Sequence, residues 1–523
     1  HLNIWIDYNN SELNTRNHNK YNKKANVNRF GIGQLFGVIK RLFADAMKFG
    51  SKQCQTVRAV LFSVFYLIFM KWDIWNYKIE GFFFKTIFKM AKGLKLVQNE
   101  RKLNHPDGNY AFHPFAVERI SSRSSLAPRA RSGHRIVCDD STLFCFGGYN
   151  PSSVHDVPVD PSTWTEENPL FKELWSYSIS KGRWTLLPVK ESIPEELASN
   201  AVCLEGKTLM IYGGTGSPFG LRCSNMLSVY HTSGDRGGLR RVNTVGEAPS
   251  PQYGQAIVFH DGYLYTVGGT NGYNYTCDIH RLHLKTKTWE AIYTCTGNTS
   301  DEPPGRYRHE MAFDGLNIYI LAGGTAETSF DFTNIPIFNI ETNTWQFKKS
   351  LPDPRFDAAN GYPNPRMCHS AVQVNNQNNI HVFIIGGTGG QTIFKDIWRL
   401  EIPSLQWTLM MKSVLPKKIH FHSSTITPAG CVFTFGGVQL KGTTYIRTNT
   451  MYKTWIRIPK LSEMCWEAIL HYNPEIGNVN KTKLLLSGIP VQNFISLGKN
   501  CRIALKSNPR CSPDFLFYNQ EES

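Results

Sequence analysis

The chain has 523 residues, of which 41% are hydrophobic and 19% charged, a balance that suits a folded protein and not a disordered one. Its formal charge of +16 raises nucleic acid as a partner, but residues 1–105 hold 18 Lys and Arg against 6 Asp and Glu, while residues 106–523 hold 39 against 35. The near balance over most of the chain argues against a basic groove for phosphates.

Twelve Cys are scattered without a Cys-x-x-Cys pair, and zinc spacing is absent. Cys145 and Cys431 lie inside apolar strand patterns, so buried free thiols in a reduced compartment are expected, with no metal or other cofactor. A cytoplasmic or nuclear location follows. The sequons at Asn274 and Asn298 carry little weight without a leader peptide.

Residues 1–90 show no sustained helical or strand period. The apolar run Ala59 to Met70 is 12 residues long and Lys71 follows it, short of the ~20 residues that a spanning helix needs. The reading preferred here is a disordered or artefactual extension upstream of a start near Met90. A short membrane-associating helix ranks second and an independent domain third, and no membrane role is expected. Residues 91–130 read as a linker with a possible closing strand.

From Arg131 to about residue 458 an apolar strand ending in Gly-Gly recurs. The pairs are Gly147-Gly148, Gly213-Gly214, Gly268-Gly269, Gly323-Gly324, Gly386-Gly387 and Gly436-Gly437, at spacings of 66, 55, 55, 63 and 50 residues. Upstream lies an Arg/His segment: Arg131-Ser132-Gly133-His134, Arg306-Tyr307-Arg308-His309, Arg366-Met367-Cys368-His369, and variants at Tyr253-Gly254-Gln255 and His420-Phe421-His422. Downstream comes a second strand and then a Trp, at Trp184, Trp289, Trp345, Trp407 and Trp455, while the second repeat has an Arg-rich stretch, Gly237 to Val242, instead.

Such a unit reads as a four-stranded sheet. Gly ends a strand where the backbone turns sharply or approaches a neighbour closely. The Trp wedges apolar bulk between neighbours, and no single sheet can bury both its faces, so the sheets must close into a ring. These residues resemble the kelch repeat, and the resemblance implies an all-β, six-bladed β-propeller that binds another protein. Kelch propellers similar to galactose oxidase carry a copper site and a secretory route; neither is visible here, nor is a GxSxG or HExxH motif, so no catalytic residue is assigned and an enzyme is not expected.

Binding residues are expected in the loops around the channel mouth. Arg308 stands where the kelch pattern has a small residue, and a guanidinium there is suited to gripping a carboxylate. The competing reading is a structural Arg paired with a neighbouring blade's acid. Tyr253, Tyr273, Tyr307 and Asn271 lie in similar loops, and Arg222 is a weaker cationic candidate after Gly214.

After Trp455 the pattern turns helical, over 459–505, before a flexible 506–523. Leu461, Cys465 and Ile469 recur at i, i+4 and i+8, giving one apolar stripe. A second helical stretch is read near Thr482 to Leu486, followed by Ile489-Pro490. Leu461-x-x-x-Cys465-x-x-x-Ile469 resembles a BC box, and Ile489-Pro490 is similar to a Cullin-2 box. Together with the propeller they resemble the kelch substrate receptors of Cullin-2 RING ubiquitin ligases. The resemblance implies Elongin B and Elongin C as partners through Leu461, Cys465 and Ile469, and Cullin-2 through Ile489 and Pro490. It also implies substrates with free C-terminal ends in Gly or Ala, held by Arg308. The alternative reading is an interaction scaffold in stress-kinase signalling through a phosphatase. Lys460 departs from the Ser, Thr or Pro common before such a box, and 325–333 lacks an Arg that some relatives place there.

Overall fold

The computed structural model describes residues 110–152, 169–189, 193–232, 238–297, 300–357, 359–376 and 379–479. The readings for 1–90, for Thr482 to Leu486, for Ile489-Pro490 and for 506–523 lie outside the described residues.

Six sheets follow one another along the chain, each with four antiparallel strands, and the third carries a fifth, Val245–Gly246, that runs parallel to its outermost strand. Blade 1 holds Arg135–Cys138, Thr142–Phe146, Leu174–Ser178 and Arg183–Leu186. Blade 2 holds Ala201–Glu205, Thr208–Tyr212, Leu227–His231 and Arg240–Val242. Blade 3 holds Ala256–His260, Tyr263–Thr270, Tyr275–His283 and Thr288–Tyr293. Blade 4 holds Glu310–Phe313, Asn317–Leu321, Asn334–Asn339 and Thr344–Lys349. Blade 5 holds Ser370–Asn375, Ile380–Ile385, Ile397–Ile402 and Gln406–Leu409. Blade 6 takes Ser423–Ile426, Cys431–Phe435 and Met451–Trp455 from one end of the domain and its fourth strand, Val117–Ile120, from the other. The strand that closes the ring comes from the segment 91–130, with Val117 opposite Thr454 and Ile120 opposite Met451.

Burial follows strand position. The second strands Thr208–Tyr212 and Cys431–Phe435 are buried at every residue, because both faces meet another blade. The outer strand Arg183–Leu186 buries Trp184 between exposed neighbours. An apolar cluster fills every seam: Phe146 and Ile211 between blades 1 and 2, Tyr212 and Leu264 between 2 and 3, Val267 and Ile320 between 3 and 4, Leu321 and Val382 between 4 and 5, Phe383 and Val432 between 5 and 6, Phe433 and Leu143 between 6 and 1. The six-bladed all-β propeller expected from the repeat is the fold observed.

Three details correct the sequence reading. In blade 4 the paired-glycine site is Ala322-Gly323, not Gly323-Gly324. Ala322 (φ +51) and Gly323 (φ +83) carry the left-handed backbone that Gly147 and Gly148 carry in blade 1, and Gly324 bridges to Tyr307 as Tyr149 bridges to Ser132. Second, Trp455 lies in the third strand of blade 6, whereas Trp184, Trp289, Trp345 and Trp407 lie in fourth strands. Those four face the preceding blade, as when Trp184 meets Phe435 at 5.3 Å, while Trp455 faces forward to blade 1. The fourth strand that would carry a Trp there is supplied by Val117–Ile120. Third, Cys277 and Cys295 are joined, with Cα atoms 5.8 Å apart, and are not free thiols.

The Arg/His segment is structural at its first and fourth residues. Arg131 donates to Gly147 O and to Glu173 Oε2, 2.8 and 2.7 Å, and stacks on Phe171. Arg366 repeats this with Gly386 O, Asp396 and Phe394. Arg306 keeps the carbonyl, Ala322 O at 3.0 Å, and the ring, Phe330, but buried Phe332 stands in the place of the acid, and burial lowers its pKa to about 10. At the fourth residue, Gln255 Nε2 donates to Tyr212 O at 3.1 Å, and His134 Nε2 contacts Phe435 O at 3.1 Å, each reaching the preceding blade.

An α-helix, α1, Leu461–Tyr472, follows the last blade, and a short 3-10 helix, Pro474–Asn478, follows it. Glu463 sits in the first turn of α1, where the helix dipole favours an acid, and Pro474 stops α1. Among the described residues no helix is long and apolar enough to cross a membrane.

Candidate functional site

The third residue of the Arg/His segment builds the channel mouth. In the six blades it is Gly133, Ser199, Gly254, Arg308, Cys368 and Phe421, and all six are left-handed, with φ from +53 to +69. Each donates its amide to the carbonyl of the same residue one blade back: Ser199 to Gly133, Gly254 to Ser199, Arg308 to Gly254, Cys368 to Arg308, Phe421 to Cys368, and Gly133 to Phe421. These bonds measure 2.8–3.2 Å and close a ring around the axis. A second tier of bonds, 2.7–3.1 Å, runs from the second residue of each glycine pair to the first residue of the next blade's segment, as from Gly437 to Arg131 O. The backbone is therefore fixed, and what the mouth presents is decided by the third residue's side chain and by the loops that fold over the ring.

Arg308 presents a guanidinium across that mouth. Its Nη2 donates to Ser199 Oγ of blade 2, and its Cζ lies 4.7 Å from the centre of the Phe421 ring of blade 6. Its Nε finds no acceptor, and no acid pairs with it among the described residues, so the neighbouring-blade acid of the competing reading is not there. Burial pulls its pKa down, with Arg135 adding to the effect. Below the ring, Arg135 Nη1 and Glu310 Oε1 meet across the channel at 2.7 Å.

Beside Arg308 opens a cavity of about 360 Å³. Its walls are Tyr149 and Phe219, 4.8 Å apart edge-on, and Phe421, Val438 and Tyr445. A second guanidinium, Arg447, stands in it, 5.4 Å over the Tyr149 ring. Arg447 arrives on the hairpin Val438–Lys441 with Thr444–Arg447, where it pairs with Val438. Ring and hairpin residues that pair share one face of the ribbon, so Val438, Tyr445 and Arg447 all turn inward. His420 lies between the two cations, and burial, then Arg447 and Arg308, push its pKa down to about 4. No Asp or Glu lines the cavity among the described residues. An aromatic pocket with two guanidinium groups that have no acid partner among the described residues, and a neutral His, has the chemistry to accept an anion, and a planar carboxylate matches the guanidinium fork.

The sequence-level candidates separate. Tyr253 and Tyr307 are ring neighbours of Arg308, stacked edge-on at 6.1 Å, and burial raises both pKa values, that of Tyr307 to about 12. Neither lines the cavity. Asn271 Oδ1 accepts from the amides of Tyr273 and Asn274, which shapes a loop and leaves Tyr273 76% exposed. Arg222 is exposed on the neighbouring loop, where its carbonyl accepts from Gly216. Arg447, Tyr149, Phe219 and Tyr445 were missed. The available signal was the loop after each glycine pair, where Arg447 occupies in blade 6 the kind of position that 325–333 leaves without an Arg.

A second candidate surface is α1. Glu467 holds it to blade 6 through Lys453 and Trp455 Nε1 at 3.1 Å, and also accepts from Tyr110 Oη, ahead of the closing strand, at 3.2 Å. The Tyr472 hydroxyl accepts from the Tyr110 amide at 2.8 Å. Glu463, Trp466, Glu467, Leu470 and His471 share the face toward a cavity of about 430 Å³ against the propeller. At 100° per residue, Leu461, Cys465 and Ile469 fall on the opposite side. Leu461 and Cys465 are half-buried, and Ile469 is buried. The expected helix over the stripe is present. Ile489 and Pro490 lie outside the described residues.

Two family models match this chain: the KLHDC2/KLHL20/DRC7 Kelch-repeats domain over residues 162–357 and the Attractin/LZTR1 beta-propeller over residues 264–462. The chain is 40% identical over 397 residues to the Kelch domain-containing protein 10 homolog of Drosophila melanogaster, covering 73% of this chain and 64% of that protein, just under two thirds of it. It is 39% identical to Kelch domain-containing protein 10 of Xenopus laevis, over 72% of this chain and 89% of the relative. With the Homo sapiens protein of that name the identity is 39%, over 70% of this chain and 79% of the relative. A protein-interaction role fits this kelch propeller, and the fold and these relatives together place the chain in the Kelch domain-containing protein 10 family.

Proposed function

We propose that the chain is a substrate-recognition subunit of a Cullin-2 RING ubiquitin ligase, without chemistry of its own, that captures the free C-terminal carboxylate of a substrate in the Arg308 pocket. The observation that carries this reading is the pair Arg308 and Arg447 in an aromatic cavity with no lining acid among the described residues. Burying cations without a countercharge is costly, and a carboxylate that accepts from both removes that cost. A terminal Gly or Ala would leave room for the chain to turn out past Phe219 and Tyr445.

The ligase half rests on α1. Leu461 and Cys465 stand on the side away from the Glu467 anchor, where an Elongin C groove would meet a helix by its apolar stripe. Ile489 and Pro490 would meet the cullin. Co-purification with Elongin B and Elongin C is expected, and Leu461→Ala with Cys465→Ala is expected to abolish it while peptide binding persists. Retention of both Elongins by that double variant would remove the ligase assignment.

The second reading is a scaffold, in stress-kinase and phosphatase signalling, with α1 serving only as a cap. The Glu467 anchor and buried Ile469 favour it, and it predicts partners indifferent to Leu461 and Cys465.

A further inference from the structure

Blade 3 carries a cluster that the pocket does not use. Cys277 lies in the strand Tyr275–His283, and Cys295 and Glu302 lie in the connection that leads to Arg306 and the channel ring. One ligand-competent atom from each of the three residues lies within 4.8 Å of the others. Cys277 and Glu302 are each 2% exposed.

Both ligand types are already held from behind. Cys295 Sγ accepts the Cys277 amide at 2.8 Å and lies 3.4 Å from Thr276 Oγ1, and its own amide donates to Asp278 Oδ1 at 2.7 Å. Glu302 accepts from Tyr293 Oη at 2.5 Å, from the Thr296 amide at 2.9 Å and from the Gly297 amide at 2.6 Å. Outer hydrogen bonds of this kind fix thiolate and carboxylate ligands in metal sites. A disulfide explains the two sulfurs and not the carboxylate. It is neutral, while Glu302 is a hydrogen-bonded carboxylate, 2% exposed, with no Lys or Arg partner among the described residues and an oxygen within 4.8 Å of both sulfurs, and buried carboxylates beside thiolates are found paired or on metals.

We infer that Cys277, Cys295 and Glu302 form a zinc site in the reduced chain, with water in the fourth position. Two thiolates and a carboxylate match the donor preference of zinc, and three protein ligands leave a tetrahedral ion one open position. The disulfide and the metal are alternatives. Reduction by a phosphine breaks the S–S bond and gives two thiols and the phosphine oxide, with water supplying the oxygen and protons. Zinc then displaces both thiol protons and binds the two sulfurs. In that state the ion ties the connection before Arg306 to the third strand of blade 3.

The full chain, purified in phosphine reductant without chelator, is expected to contain about one zinc per molecule by elemental analysis. Cys277→Ser with Cys295→Ser is expected to lose it, Glu302→Gln to hold it more weakly, and Cys138→Ser to keep it. Titration of the unmodified chain with cobalt(II) alone is expected to give a thiolate-to-metal charge-transfer band, a readout that needs no variant to fold. Zinc below about a tenth per chain together with no cobalt band, or zinc retained by the double Ser variant, overturns the assignment.

Discussion

At the scale of the residue, Arg308 trades backbone comfort for position. Its φ of +55 is a conformation that Gly133 and Gly254 adopt freely at the equivalent places. For an L-residue it costs about 1–2 kcal/mol. The return is a guanidinium seated on a closed ring of hydrogen bonds, half-buried and without an acid among the described residues. Arg308→Gly is therefore expected to leave the melting temperature unchanged or higher. It should weaken a carboxylate-ended peptide at least about tenfold, as the loss of a charge-assisted hydrogen bond of about 1.5–3 kcal/mol requires. Calorimetry of folding and of binding on one preparation checks both. Arg308 was legible because a motif residue was replaced by something larger. Arg447 was less so: its place in the loop after a glycine pair is visible, but its contribution depends on a hairpin that folds back over the ring, which Tyr445-Ile446-Arg447 alone does not mark. The Cys277 and Cys295 pair was hidden for a similar reason. An 18-residue separation matches no metal motif, and it is the hairpin from the third to the fourth strand of blade 3 that returns Cys295 to Cys277.

At the scale of the element, the paired glycines show why a repeat is readable and where its register slips. A Cβ built on Gly436 overlaps the ring of His134 from the next blade, and one on Gly268 lies 2.9 Å from His309 Cε1. The same backbone sign at Gly206, φ +56, meets nothing within 4 Å. Gly206→Ala is thus expected to cost only the backbone term, about 1–2 kcal/mol. Gly436→Ala adds overpacking of about 1–3 kcal/mol and should cost clearly more, as read by urea denaturation of the two variants side by side. Equal losses would mean that blade contact does not decide these positions. Ala322 shows the exception: a left-handed Ala is tolerated, and the diglycine that follows it in sequence then points to the wrong pair. Trp455 slips for another reason, since a strand donated by 117–120 displaces the usual order of third and fourth strands. The four-stranded blade was legible in its apolar runs and turns, but the identity of its outermost strand was a matter of ring closure, which no local pattern encodes.

At the scale of the whole molecule, closure leaves a crowded polar axis inside six apolar seams. His309 and His422 are buried there, and burial holds both pKa values down to about 3. An unfolded His titrates near about 6.5, so between these values the unfolded chain binds more protons than the folded one, and stability must fall as pH falls from about 6.5 toward 3. Thermal melts from pH 8 to pH 4 are expected to be flat above neutrality and to drop steadily below it, with the slope reduced in His422→Gln. The axis is also where the account of function stands. Its six-fold ring sets one substituted side chain, Arg308, at the mouth, and the proposed binding depends on a carboxylate meeting Arg308 and Arg447 together. The most direct measurement is titration calorimetry of the full chain with two peptides that differ only at the last atom group, one ending in a free Gly carboxylate and the other in Gly amide. The free acid is predicted to bind, and the amide and the Arg308→Ala protein are predicted not to; equal affinity for both peptides, or binding indifferent to Arg308, would contradict the pocket's role.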